Sequence, residues 1–357
     1  MSVTFARPRL RWLAWIGRRG TAALAVGALL GLAVPGLANL LAPALPALVF
    51  AFLASTLLRL RFDGLRQCFR RPLLPALLIA WSLVLSPAAL ALVLRATPPQ
   101  LLPGELPDAL MLWAASPPMT AAAAFAALLG LDVELAFGVS LVSTLATPLT
   151  APPLLFGLAG FAVGIDGVAL SARLAAVVGG AAAVAWALRR MLGEERLERH
   201  GDEIGGAMIL VLVAFAAALM TEMRARLATA PDTALTFIAV AFASNLLVQG
   251  ATAACFAWAG RRRAATAALL GGNRNLSVVY AGLGAAATPD ITLFFAAVHL
   301  PIYMLPLLLR RIYSAGRGAV AADKAEAAAE AELKPPAAPR PSRRGRAGRR
   351  RGSSCGT

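Results

Sequence analysis

LGGNRNLSVVYAGLGAA, residues 270–286, is the stretch on which the fold turns. A glycine pair, Gly271 and Gly272, interrupts an apolar run. Asn273, Arg274 and Asn275 follow, and the run resumes through Leu276, Val278, Val279 and Tyr280. An arginine at mid-depth of a membrane segment costs roughly 3 kcal/mol on insertion scales, and more in simulations. A chain that tolerates one there, between two asparagines, has reason to hold a polar site at that depth.

The composition supplies the membrane. The chain of 357 residues is 59% hydrophobic and 15% charged, with a mean hydropathy of +0.71. That excludes an ordinary soluble domain and points to an all-α polytopic membrane protein. The formal charge of +16 does not imply nucleic acid as a partner. The arginines sit in short loops between apolar runs and in the two tails, whereas a basic soluble domain interleaves them with its core. Cys68, Cys255 and Cys355 have no spacing that suggests a disulfide framework or a metal site.

Ten apolar runs lie at approximately 20–34, 37–58, 72–94, 106–129, 133–158, 166–188, 205–222, 232–259, 263–286 and 289–310, each near the length that crosses a bilayer. The first follows a basic stretch and precedes Gly36-Leu37-Ala38, a pattern also found in signal peptides. The helix count favours a span, with Trp12 and Trp15 at its edge. Loops after even-numbered spans and those after odd-numbered ones hold 12 and 4 arginines, counting Arg173 just inside span 6. The positive-inside rule therefore puts both termini in the cytoplasm and the protein in the inner (plasma) membrane. Four regions follow: a basic cytoplasmic N-terminus at 1–19, a first five-span half at 20–158, a second at 159–315, and a basic tail at 316–357. The tail's Pro/Arg/Gly/Ser content predicts disorder.

The halves repeat. Asp132, Leu135, Phe137 and Pro148 align at a fixed offset with Asp290, Leu293, Phe295 and Pro306. Each half interrupts its fourth span, at Ser116-Pro117-Pro118-Met119-Thr120 and at Gly271–Asn275. Five spans per half is an odd number, so the second half enters from the opposite side and the repeat is inverted. Inside a bilayer every backbone polar group needs a partner. Pro117 and Pro118 bring no N–H, and the glycines allow unusual dihedrals. Such breaks either kink a helix for packing or line a polar site; their recurrence at related places favours the site.

The stretch 116–153, SPPMTAAAAFAALLGLDVELAFGVSLVSTLATPLTAPP, together with GGNRN at 271–275, resembles the bile acid:sodium symporter superfamily. The resemblance covers about 20–312. It implies ten spans in two inverted five-span repeats, with broken spans 4 and 9 crossing in a core bundle that rocks against a panel. It also implies secondary transport of small organic anions by alternating access. The superfamily's sodium ligands map poorly. Its Ser-Asn pair in span 4 falls on Ala122 and Ala123, and its span 5 hydroxyls on Ala136 and Ser140. Its span 3 glutamine falls near Ser82, its span 9 acid on Leu270, and its Gln-Asn pair on Arg274 and Asn275. Alanine and leucine offer no side-chain oxygen. An arginine about 4 Å from a cation would repel it by about 4 kcal/mol at an effective dielectric of about 20. Arg274 is thus read as a fixed charge standing in for sodium, with sodium coupling doubtful and proton coupling or uniport open. Arg274 as structural glue is the competing role.

The expected substrate site is Arg274, Asn273, Asn275, Gly271, Gly272, Thr120, Pro117, Pro118 and Asn245. Ser140, Ser82 and Gln249 are candidates for weak ion contact. Asn245 and Gln249 lie one turn apart and either face the cavity or tie neighbouring helices. His299 is a candidate proton relay, with packing against a backbone carbonyl as its alternative. No catalytic, metal or cofactor group is expected. Two other functions share the composition: a sensor or scaffold on the transporter fold, and an intramembrane lipid-modifying enzyme. The loops lack the clustered acids and histidines that the enzyme would need.

Overall fold

The computed structural model describes residues 27, 30–31, 33–58, 62–158, 160 and 165–314. The N-terminal segment 1–19, most of the first expected span and the tail at 316–357 lie outside the described residues.

Eleven helices carry the architecture. α1 is Gly36–Leu58 and α2 Leu73–Ala96. α3 is Leu106–Ala115 and α4 Ala122–Leu129; together they occupy the stretch expected as the fourth span. α5 is Val133–Leu158 and α6 Gly167–Leu192. α7 is Gly201–Thr229 and α8 Pro231–Cys255. α9, Arg261–Gly272, and α10, Leu276–Leu283, occupy the stretch expected as the ninth span. α11 is Pro289–Leu308. Seven helices among the described residues are long and apolar enough to cross a membrane, and Leu106–Ala115 and Leu276–Ala286 are shorter apolar helices. The protein is an all-helical, polytopic membrane protein.

Local chemistry sets the boundaries. Asp132 caps α5, its Oδ1 accepting from the Leu135 amide at 3.1 Å. Asp166 caps α6 through the Ala169 amide at 2.7 Å. Each supplies an acceptor to a helix N-terminus that lacks one. α4 stops at Gly130, whose φ of +73° is one that only glycine adopts freely. α3 stops at Ser116, extended at ψ 147° because the following proline disfavours helical geometry.

α2 changes register midway. Over Trp81–Leu85 the turn is π-helical, and the Ser86 amide bonds the Trp81 carbonyl. Pro87 follows without an N–H. The Ser82 carbonyl is therefore left with no main-chain donor in either register.

The most buried long helix is α11, with 72% of its span inside the protein, against 28% for α6 and α8. α5 and α11 form the centre, and α1, α2, α6 and α8 the periphery. Leu149, Val168, Trp186 and Leu247 stand exposed around the outside. In water such a surface would associate; in a bilayer it faces lipid. Gly27 and Gly31 lie close to α7. A Cβ on Gly27 would lie 2.8 Å from the Val213 carbonyl oxygen, and one on Gly31 would lie 2.7 Å from Ala217 Cα. That small-xxx-small spacing lets two backbones meet without side chains between them.

Candidate functional site

The two interruptions meet. The Met119 amide donates to the Asn273 carbonyl at 2.7 Å, and the Asn275 amide to the Pro117 carbonyl at 2.7 Å. These bonds make an isolated antiparallel bridge between Pro118 and Arg274. Each break thus supplies the backbone partners the other lacks, as a lipid-excluded backbone requires.

Arg274 sits at this crossing, 1% exposed. Its Nε donates to the Gly271 carbonyl at 2.8 Å. Nη1 faces three carbonyls, those of Ser82 at 2.5 Å, Ala114 at 2.9 Å and Ser116 at 3.1 Å. Nη2 donates to Ser86 Oγ at 2.9 Å. All these partners are neutral oxygens.

Most of these carbonyls have lost a main-chain donor for a reason visible in the sequence. The helical partner of Ala114 would be Pro118, which has no N–H. Ser82 is orphaned by the π turn and Pro87. The partner of Gly271 would be the Asn275 amide, which is spent on Pro117. The guanidinium, with five donors in a fixed fork, answers the carbonyls that the prolines and the crossing leave open. Four of its five acceptors are backbone oxygens, the donor set a bound cation would use.

The remaining expected residues fall into two groups. One group is tied to the protein. Asn245 Nδ2 donates to the Gly272 carbonyl at 2.8 Å, and Gln249 Nε2 to Asn245 Oδ1 at 2.5 Å. Gln249 Oε1 in turn accepts from the Tyr313 hydroxyl. Ser140 Oγ donates to the Met119 carbonyl at 3.1 Å, linking α5 to the first break. His299 Nδ1 lies 2.6 Å from the Phe295 carbonyl, and its ring packs among Phe215, Phe295 and Tyr303.

The other group holds buried polar atoms without a partner: Thr120 Oγ1, Asn273 Oδ1, Asn275 Nδ2 and Ser82 Oγ. Three of these four belong to the breaks, whereas native cores leave few such atoms. Ser143 Oγ on α5 is a further one.

Helix polarity sorts the two groups. α3 and α9 end at the crossing, and their last carbonyls turn toward Arg274 and Asn245. α4 and α10 begin there, and neither start is capped by a side chain. Carbonyl ends favour a cation and amide ends an anion. Ser86 and Tyr313 were not among the expected residues. The missing N–H of Pro87 is the sequence trace of the first; Tyr313 leaves none, lying beyond the last span.

Alanine and leucine occupy the positions where the resemblance asks for side-chain oxygens: Ala122 and Leu270 are fully buried apolar residues. No group of three or more metal-ligating side chains is present among the described residues.

Helices broken at a shared crossing inside a bundle recur in secondary transporters. Residues 45–184, from α1 into α6, match the Sodium Bile acid symporter family, and this supports membership of the bile acid:sodium symporter superfamily. The match points to a membrane transporter of that type. No match to a curated protein is found.

Proposed function

We propose that this chain moves small organic anions across the inner membrane by alternating access, with Arg274 as a tethered cation in place of sodium. The observation that carries the proposal is the neutral oxygen set around Arg274: four carbonyls and one hydroxyl. The arginine does not reach out as a ligand. It fills the carbonyl ends of α3 and α9 and leaves its charge behind the crossing. The uncapped starts of α4 and α10, with Thr120, Asn273 and Asn275, are then the substrate contacts. An anion there would gain from two helix dipoles and from the buried positive charge.

The ten-span inverted repeat, with both termini cytoplasmic, belongs to this proposal. The offset that carries Asp132 to Asp290 also carries Pro117 to Asn275, and those two bond each other. It further carries Glu105 to Arg263. Arg263 lies 3.9 Å from Asp132, and the Glu105 amide donates to Asp290 at 3.3 Å. Such reciprocal contacts between halves are what an inverted repeat produces. The contacts also segregate: loops after even-numbered spans meet one another, as do those after odd-numbered spans.

Uptake of a panel of carboxylic acids into proteoliposomes, with sodium replaced by potassium or choline, tests the proposal. We expect uptake that is indifferent to sodium. Strict sodium dependence would remove the tethered-cation role, and binding without flux would favour a sensor on the same fold. An imposed proton gradient separates proton coupling from uniport.

A further inference from the structure

A second polar site lies away from the crossing. A pocket of about 360 Å³ opens on the arginine-rich face, where the loop before α2 meets the starts of α5 and α9. Arg70, Arg71, Arg262 and Arg263 line it, together with the carboxylates Asp132 and Glu134.

Two features of this cluster are unfavourable as they stand. First, four guanidinium groups from segments far apart in sequence share one pocket with only two carboxylates. The Arg70 and Arg71 guanidinium groups have no hydrogen-bond or ion-pair partner among the described residues. Arg262 spends one nitrogen on the Leu131 carbonyl at 2.9 Å, and Arg263 stands 3.9 Å from Asp132. Second, α9 starts at Gly260 with no side-chain cap and no acidic residue in its first turn. Its first turn is three arginines, which set positive charge against the positive end of the helix dipole. A topology signal needs arginines in the loop; it does not need them converging on a concave surface at a helix N-terminus.

We propose that this pocket binds a phosphoryl group, carried either by a soluble phosphomonoester or by the headgroup of an anionic phospholipid. The guanidinium fork matches phosphate oxygens in pairs. A doubly charged group offsets the arginine excess and the dipole together, and the uncapped amides of α9 add donors. The volume exceeds that of a bare phosphate and leaves room for the glycerol or sugar it esterifies.

The probes are glycerol phosphate with the full chain in neutral detergent, and phosphatidylglycerol against phosphatidylcholine in nanodiscs. Saturable thermal stabilisation by glycerol phosphate, absent with sodium chloride at equal ionic strength, assigns a soluble phosphomonoester. Selective retention of phosphatidylglycerol without that response assigns the lipid headgroup. Arg70→Gln with Arg71→Gln should weaken whichever response is seen by roughly tenfold to a hundredfold, the worth of charge-assisted hydrogen bonds. If that pair fails to insert, Arg70→Lys with Arg71→Lys keeps the charge and loses the fork, and a weakening of about tenfold supports the site. Response to neither probe beyond that of salt, or unchanged affinity in the variant that inserts, overturns it.

Discussion

Arg274 is stabilised by acceptors rather than by a counter-charge, and this sets what its removal does. Arg274→Ala would leave the Ser82, Ala114, Ser116 and Gly271 carbonyls buried without donors, at about 1–3 kcal/mol for each that finds no water. We expect the alanine variant to lose about 3–5 kcal/mol, the cost of about two such carbonyls left dry, read as a fall in melting temperature in detergent. Arg274→Lys should lose less, because a point charge with three donors answers some of the set. Equal melting of wild type and alanine variant would deny the carbonyl-satisfying role. The sequence showed the cost of this arginine but not its partners. Backbone carbonyls carry no side-chain signature, and Ser82 is 192 positions away; only Pro87 and Pro118 hint at which oxygens lack donors. Cys68 gives a second test at this scale. It lies between α1 and α2, packed where a Cβ on Gly138 would touch it. Burial first, then Asp132 and Glu134, pushes its thiol from an ordinary 9.0 up to about 11. The folded state therefore holds this proton more tightly than the unfolded one. That contribution is complete below pH 9.0 and lost as pH rises through about 11. Iodoacetamide should label Cys68 slowly at neutral pH, with the rate climbing toward pH 11. Fast labelling at pH 7 would contradict the burial.

Among the elements, the breaks were legible and the register shift was not. Proline pairs and glycine pairs mark where a helix cannot continue, so both interruptions stand out in the chain. The π turn of α2 leaves no residue of its own. It follows from Pro87 downstream and from an arginine contributed by another span. The packing of α8 on the second break was half legible. Asn245 and Gln249 share a face, but the sequence could not say whether that face met substrate or backbone. Their hydrogen bonds run to Gly272 and to each other. A Cβ on Gly272 would lie 2.7 Å from Asn245 Oδ1, so the glycine is needed for close approach. Gly272→Ala should push α8 from the break and strip the Gly272 carbonyl of its donor. We expect a loss of about 2 kcal/mol from overpacking and one lost hydrogen bond. Adding Gln249→Ala should remove most of the overpacking, because the tightest contact of that Cβ would be with Gln249 Cγ. A double variant less stable than Gly272→Ala by the full cost of Gln249→Ala would show that the two act independently.

At the scale of the whole molecule, the two aspartates that open α5 and α11 hold opposite faces. Asp132 sits on the arginine-rich face. Its amide donates to Thr266 Oγ1 at 3.1 Å, and its carboxylate faces Arg263 at the start of α9. Asp290 sits on the other face, where its Oδ1 accepts from Arg226 of α7 at 2.9 Å. Its Oδ2 accepts from the Glu105 amide just before α3, and Thr288 donates to Glu105 beside it. Each aspartate thus ties its own half to the start of the other half's broken span. On the proposed inverted repeat, alternating access loosens one such tie while keeping the other. Asp290→Asn should speed amide exchange in the loops before α3 and before α11 together, and leave the start of α9 unchanged. Asp132→Asn should do the reverse. These pairs are partly exposed, so each tie is worth about 1 kcal/mol or less, roughly a fivefold change in exchange. A change on both faces from either substitution would mean that the bundle opens as one body, and the two-sided reading of the fold would fail.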